Sequence, residues 1–213
     1  PLHAQGYLHN WLVAGPQAIA VADLTRFDPD NLSQAIAAAY HQPDHPVTQQ
    51  PLELAPLIGH GPQGESQLTW RAVQCADDHL VDYTGFYDTC HYLRTWAYSE
   101  LIAPTQQATT LVLTTNGPAA VWFNGELVQQ HAHFHPQRMA SVSFDATLQA
   151  GQNTLLVCFT NVALRDCPYA LALQVTGLDP ARLTVHIPTT LKVDRRQKLE
   201  AIFAAAYLDR DLY

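Results

Sequence analysis

Charge is what this sequence has least of. Only 14% of its 213 residues are charged, against roughly a quarter in an average soluble domain. That excludes a disordered tail and a long solvated helix. Long apolar runs are missing too. Runs such as Ala18 to Ala22 and Leu155 to Phe159 fall far short of the ~20 residues a membrane-spanning helix needs. Basic residues are scarce, 11 Lys and Arg against 19 Asp and Glu, for a net charge of -8. Residues 1–180 hold 15 acidic and 5 basic side chains, a net of -10, and residues 181–213 hold 4 and 6, a net of +2. An acidic body argues against nucleic acid, whose phosphates need clustered Lys and Arg, and against an anionic membrane surface. A neutral ligand such as a sugar is compatible with this balance.

Metal and catalytic signatures are sparse. Cys75, Cys90, Cys158 and Cys167 form no C-x-x-C pair, so a structural zinc site is not expected. Cys158 lies in an apolar run and reads as a small core residue. Cys90 and Cys167 sit in more irregular segments and are open to pairing. Two disulfides would admit three connectivities, so the compartment, extracellular or cytoplasmic, stays open. No G-x-S-x-G elbow, P-loop or dinucleotide fingerprint occurs. A glycosidase needs two carboxylates facing one bond. Glu100, Glu126, Asp88 and Asp145 are present, but none is marked as half of a pair. No catalytic residue is assigned, and the chain is not expected to be an enzyme on its own.

What is abundant is hydrophobic side chain, at 47%, enough for a sizeable core. Residues 7–15 have a strand pattern closed by Gly15-Pro16. Residues 31–40 are helical, with Asn31 as N-cap. Residues 41–67 lack a sustained period and are expected to form a long loop. From residue 68 strands recur, at 68–73, 94–102, 109–115, 119–124, 140–146, 154–161 and 168–175. They are β-branched or aromatic and separated by turn signals. Asn124-Gly125 suits a type I′ hairpin, which needs positive φ at both central residues. Residues 193–209 have the pattern of a helix with Asp194 as N-cap. Such a series predicts an all-β antiparallel sandwich with a short inserted helix and a C-terminal helix. The expected division is a β-sandwich at 1–180, with a loop and helix insertion at 17–67. A linker and helix at 181–213 would then lead to a further domain of a longer protein. The start at Pro1, without Met, fits a fragment.

Two stretches carry candidate binding chemistry. His131, His133 and His135 alternate, so in an extended strand they share one face, as ligands of Zn²⁺, Cu²⁺ or Ni²⁺ would. A cupin-type site places a Glu a few residues beyond H-x-H, whereas here Pro136, Gln137, Arg138 and Met139 follow. The favoured reading of these histidines is a solvent-exposed loop or the rim of a ligand site, with no metal assigned. The alternative is a small metal-dependent enzyme using all three. Residues 83–98 hold Tyr83, Phe86, Tyr87, Tyr92, Trp96 and Tyr98, with Asp82, Asp88, His91 and Arg94 around them. Aromatic rings stack on the flat C–H faces of sugars while polar neighbours take the hydroxyls. Tyr87, Tyr92, Arg94, His133 and His135 are therefore the candidate carbohydrate-binding residues. Trp96 is assigned to packing, as are Trp11, Trp70 and Trp122.

The motifs also carry a family resemblance. Val121-Trp122-Phe123-Asn124-Gly125 is followed by Leu148, Gly151, Asn153, Leu155 and Val157 in the spacing L-x-x-G-x-N-x-L-x-V. With the opening N-W-L-V-A-G-P at 10–16, this resembles the galactose-binding-domain-like jelly roll found in bacterial multidomain glycoside hydrolases. The likeness covers about residues 7–16 and 68–177, and the matching residues are mostly scaffold. It implies a jelly-roll fold and a non-catalytic role as carbohydrate-binding or accessory domain. The partner would be a glycan or the neighbouring catalytic domain of the same chain. A purely structural docking module is a further alternative. Ca²⁺ often stabilises such modules, through carbonyls and scattered acids that this sequence does not single out.

Overall fold

The computed structural model describes residues 2–40, 50–61, 64–135 and 138–189. Its strands are β1 (Asn10–Ala20), β2 (Pro56–Gly61), β3 (Gly64–Thr69), β4 (Arg71–Gln74), β5 (Val81–Asp82), β6 (Gly85–Ala103) and β7 (Gln107–Thr115). They continue with β8 (Ala119–Phe123), β9 (Glu126–His131), β10 (Ala140–Leu148), β11 (Gly151–Cys167), β12 (Ala170–Thr176) and β13 (Thr184–His186). One α-helix, α1 (Leu32–Tyr40), is present among the described residues. The larger sheet runs β4-β1-β6-β11-β8-β9, with β13 also paired to β6; the smaller runs β10-β7-β12-β5. Every pairing is antiparallel. The fold is an antiparallel jelly-roll sandwich.

The central ladder joins β6 to β11, from Gly85 opposite Cys167 to Ala103 opposite Gly151. Successive side chains of a strand point to opposite faces. Leu93, Ala97 and Leu101 of β6 therefore face the smaller sheet, where they meet Leu111 and Leu113 of β7 and Leu171 and Leu173 of β12 in the main core. Tyr92, Arg94, Trp96, Tyr98 and Glu100 alternate with them on the other face, yet all five are buried. The inserted chain covers them. Ile36 of α1 packs on Ile19, Val21, Cys90 and Tyr92. Leu57 of β2 and Trp70 pack on Leu12, Ala14, Trp96 and Tyr98. The outer face of the smaller sheet is polar instead, with Thr110 opposite Asp145 and Thr114 opposite Ser141, each pair hydrogen-bonded.

Several elements depart from the expectation. β1 does not stop at Gly15. A bulge between Ala14 and Gln17 adds one residue and so keeps Gln17, Ile19 and Val21 on the face of Leu12 and Ala14. Asn31 does not cap α1. It ends a 3-10 turn whose cap is Asp28, with the Asp28 carboxylate accepting from the Asp30 N–H at 3.0 Å. The expected loop at 41–67 contains the β2–β3 hairpin, and 83–92 and 126–131 are largely strand. Trp70 divides the expected strand 68–73 between β3 and β4. β13 lies beyond the boundary expected at 180 and pairs with β6 through Val185 opposite Leu101. The helix expected at 193–209 lies outside the described residues.

The four cysteines are free thiols and buried, so the pairing left open by the sequence does not occur. Cys90 lies under α1 on the outer face of the larger sheet, whereas Cys167 lies in the core between the sheets. The sheet itself separates them. Cys158 packs beside Trp96 as a small apolar residue.

The residues of the resemblance are scaffold. Asn124 and Gly125 have φ of 51° and 83°, the left-handed pair that a type I′ turn requires. The Asn124 amide donates to Asn153 Oδ1 at 3.0 Å, and its own carbonyl oxygen accepts from the Thr154 N–H at 2.8 Å. Asn153, fully buried, also accepts from the Gln149 N–H at 2.8 Å and donates to the carbonyls of Gln149, Gly151 and Leu101. One side chain thus fastens the β10–β11 turn to the β8–β9 turn.

Two outcomes follow. Asn153→Ala strands buried polar groups, each worth about 1–3 kcal/mol, so it should cost about 2–4 kcal/mol in urea unfolding; a loss under about 0.5 kcal/mol would contradict this network. Burial pushes the Cys75 and Cys167 thiols up to about 11 and Cys158 up to about 12, against an ordinary value of about 8.5. A raised thiol pKa favours the folded state below the ordinary value, and that contribution is lost as pH rises toward the folded one. Tm should therefore hold to about pH 8.5 and fall above it, with a shallower fall in Cys158→Ala. An identical slope in the variant would count against it.

Candidate functional site

A cavity of about 450 Å³ opens on the outer face of the larger sheet, between α1 and the segment that ends β9. Its floor is strand. Tyr92, Arg94 and Trp96 come from β6, Cys158 and Thr160 from β11, and Trp122 from β8. The register explains their meeting. Trp96 stands opposite Cys158 and Arg94 opposite Thr160, while Trp122 stands opposite Leu156, so one parity places all six on one face. The Trp96 and Trp122 rings lie 5.9 Å apart at 36°. Gln34, Ala37 and Ala38 of α1 form one wall; Gln130 and His131 of β9, with Ala132 and Phe134, form the other.

Arg94 is buried, and a buried guanidinium needs acceptors. Its Nε and Nη2 donate to Gln17 Oε1 at 3.2 and 2.7 Å, and Nη2 also donates to the His60 carbonyl of β2. Gln17 in turn donates from Nε2 to Ser66 Oγ of β3 at 2.6 Å. The hairpin is thereby tied to the cavity floor. Gly59 makes room, because a Cβ there would stand 2.8–2.9 Å from the Gln17 amide.

The other polar groups stay neutral near pH 7. Burial pushes the Tyr92 hydroxyl up to about 12. Burial, then the adjacent His135 and His133, hold His131 below its ordinary value. No carboxylate is among the described residues that line the cavity. Glu100 is buried elsewhere on the same face, accepting from Tyr98 Oη at 2.8 Å and Gln50 Nε2 at 2.9 Å and meeting His186 Nδ1 at 2.5 Å. Glu126, Asp88 and Asp145 are exposed.

Of the residues singled out in the sequence, Tyr92 and Arg94 line the cavity. Tyr87 does not. It is half-buried against the main core, 5.6 Å from the His91 ring. His133 is exposed and His135 half-buried, and neither lines the cavity, whereas His131 does. The chain leaves the strand after His131, so the shared face expected for the three histidines ends there. The His131 ring lies 5.9 Å from that of His133 and 5.5 Å from that of His135. Among the described residues, the one set of three histidine, cysteine or acidic side chains whose ligand atoms converge is elsewhere, at His3, His9 and His79. Its nitrogen donors do not suit Ca²⁺, which takes oxygen ligands. Trp96 and Trp122 were assigned to packing, and Gln34, Gln130 and Thr160 carried no signal; strand parity was the clue that linked the two indoles.

No family model matches the sequence, and no curated protein is similar to it in sequence. Solved structures similar to parts of the chain are mainly family 35 carbohydrate binding modules and glycoside hydrolases. A family 35 module from an environmental isolate is 15% identical over 49% of this chain and 75% of its own, with a TM-score of 0.30. One from Clostridium thermocellum is 13% identical over 58% of this chain and 99% of its own, with a TM-score of 0.31. The GH31 alpha-xylosidase from Xanthomonas citri is 17% identical over 45% of this chain and 10% of its own, with a TM-score of 0.34.

Gly59→Ala forces the Gln17 amide away from Arg94 and Ser66. The variant should lose about 1–3 kcal/mol in urea unfolding and shift the tryptophan emission. Unchanged stability and emission would show that the hairpin is not fixed by this tie.

Proposed function

We propose that this chain is a non-catalytic carbohydrate-binding domain whose ligand lies in the cavity over Trp96 and Trp122. The supporting observation is the pairing of two indoles in a strand floor with a rim of neutral hydrogen-bonding groups. Indoles take the C–H faces of a sugar ring, and Gln34, Gln130, His131 and Thr160 are of the kind that takes its hydroxyls. The volume, about 450 Å³, falls within the roughly 300–1,000 Å³ of small-molecule sites. A lining without carboxylates among its described residues suits binding rather than glycoside hydrolysis, which needs an acid and a nucleophile or base across the bond. A domain that only binds serves a catalytic partner by holding it on its glycan, and this accessory role is part of the proposal.

Titration with a panel of mono- and oligosaccharides, read by tryptophan fluorescence and ligand-observed NMR, tests it. At least one sugar should bind, and Trp122→Ala should weaken it tenfold or more, about 1.4 kcal/mol. Tyr87→Ala, outside the cavity, should bind as the parent does. A panel silent on folded protein, or binding untouched by Trp122→Ala, would remove the cavity from the account.

A further inference from the structure

The sequence draws the eye to His131, His133 and His135, but a different trio converges. His3 lies in the turn that precedes β1, His9 is the residue before β1, and His79 lies in the loop between β4 and β5. One ring nitrogen from each lies within 4.8 Å of the other two. The ring centroids of His3 and His9 are 4.6 Å apart, those of His3 and His79 4.7 Å, and those of His9 and His79 4.8 Å. We infer that His3, His9 and His79 form a binding site for one divalent transition-metal ion of the zinc class.

The chemistry of the donors fits such an ion. Three imidazoles with an open fourth position are a common zinc set. At Zn–N distances of about 2.0–2.1 Å tetrahedral ligand nitrogens stand about 3.4 Å apart, a separation between the 2.6 Å of His9 Nε2 and His79 Nδ1 and the 4.8 Å within which all three rings offer a nitrogen. His9 Nε2 and His79 Nδ1 are 2.6 Å apart; an ion held by both would leave the proton now between them on the other nitrogen of its ring, so that each imidazole stays neutral. Asp77 and Asp78 add negative potential at His9. Gln5 Oε1 lies 3.2 Å from His79 Nε2 and accepts its N–H, which leaves the Nδ1 lone pair facing His9. His79 itself holds φ at 65°, a left-handed backbone that non-glycine residues adopt seldom. The Tyr7 ring stacks on the His79 imidazole at 4.1 Å and 11°, which fixes its plane. The cluster is half-buried and so open to an ion from solvent. An ion there would bolt the segment before β1 to the β4–β5 loop.

Tag-free, metal-free protein titrated with Zn²⁺ against a chromophoric chelator decides this. The expected result is one Zn²⁺ per chain and a higher Tm with Zn²⁺. Affinity should be at least tenfold weaker in His9→Gln and in His79→Gln, and unchanged in His133→Ala. Co²⁺ on the unaltered chain should give the visible absorption of tetrahedral nitrogen coordination, a readout that needs no variant. Absence of stoichiometric binding, parental affinity in both variants, or loss in His133→Ala alone would overturn the assignment.

Discussion

The rest of the molecule depends on the β6–β11 ladder being apolar or aromatic on both faces. An antiparallel sheet commonly leaves one face in water, and the smaller sheet here does so. The larger cannot. Leu93, Ala97 and Leu101 claim the smaller sheet, and Cys90, Tyr92, Trp96 and Tyr98 on the opposite parity demand a second cover. The inserted chain supplies it in two pieces, α1 and the β2–β3 hairpin. The cavity lies beside α1, over the part of β6, β11 and β8 that this cover leaves open. A pocket on this face is therefore a consequence of how the second apolar face is covered.

Arg94 shows how the cover is held in place. Apolar contact between the hairpin and the sheet has no preferred register, since burial is non-directional. A buried guanidinium is directional. Its bonds to Gln17 and the His60 carbonyl place β2 against β1 and β6 in one position. The bulge after Ala14 is what turns Gln17 toward Arg94 at all. Asn153 does the same work at the far edge, where polar contacts fasten two turns. In both places apolar burial supplies the drive and a satisfied polar side chain supplies the register.

The strands of the sandwich were legible because most alternate and end in turn residues, as 109–115 and 140–146 do. The Asn124-Gly125 turn was legible for its backbone demand. The first half of β6 was not. Tyr87-Asp88-Thr89-Cys90-His91-Tyr92 mixes polar and aromatic residues because part of it faces the inserted chain and part faces solvent, so neither strand template fits. The β2–β3 hairpin was hidden for a related reason. Its Gly, His and Gln residues carry no period, and its position is set by Gln17 and Arg94, far away in sequence. At the site, Tyr92 and Arg94 stood out by composition. Trp96 was taken for packing, and it does pack, on Leu57 and Trp70 of the cover; the same indole also borders the cavity. Residue type alone does not separate the two roles. Neighbours in sequence also misled. His131, His133 and His135 are close along the chain, while His3, His9 and His79 come together only because β1 pairs with β4.

The two sides of the cavity differ in stiffness, and this bears on how a ligand would be held. Floor residues sit in a ladder paired on both edges, with β6 between β1 and β11 and β11 between β6 and β8. Their rotamers are fixed by close packing. The walls have less behind them. α1 buries only Ile36 fully among its nine residues, and residues 132–135 follow the end of an edge strand. A ligand stacking on Trp122, which the buried Trp96 backs, would meet a surface already formed, so little ordering cost is charged against its affinity. Polar contacts to Gln34 of α1 would come from an element that can adjust. Stacking on the floor would then set how tightly a ring is held, and the walls would choose among rings of similar shape.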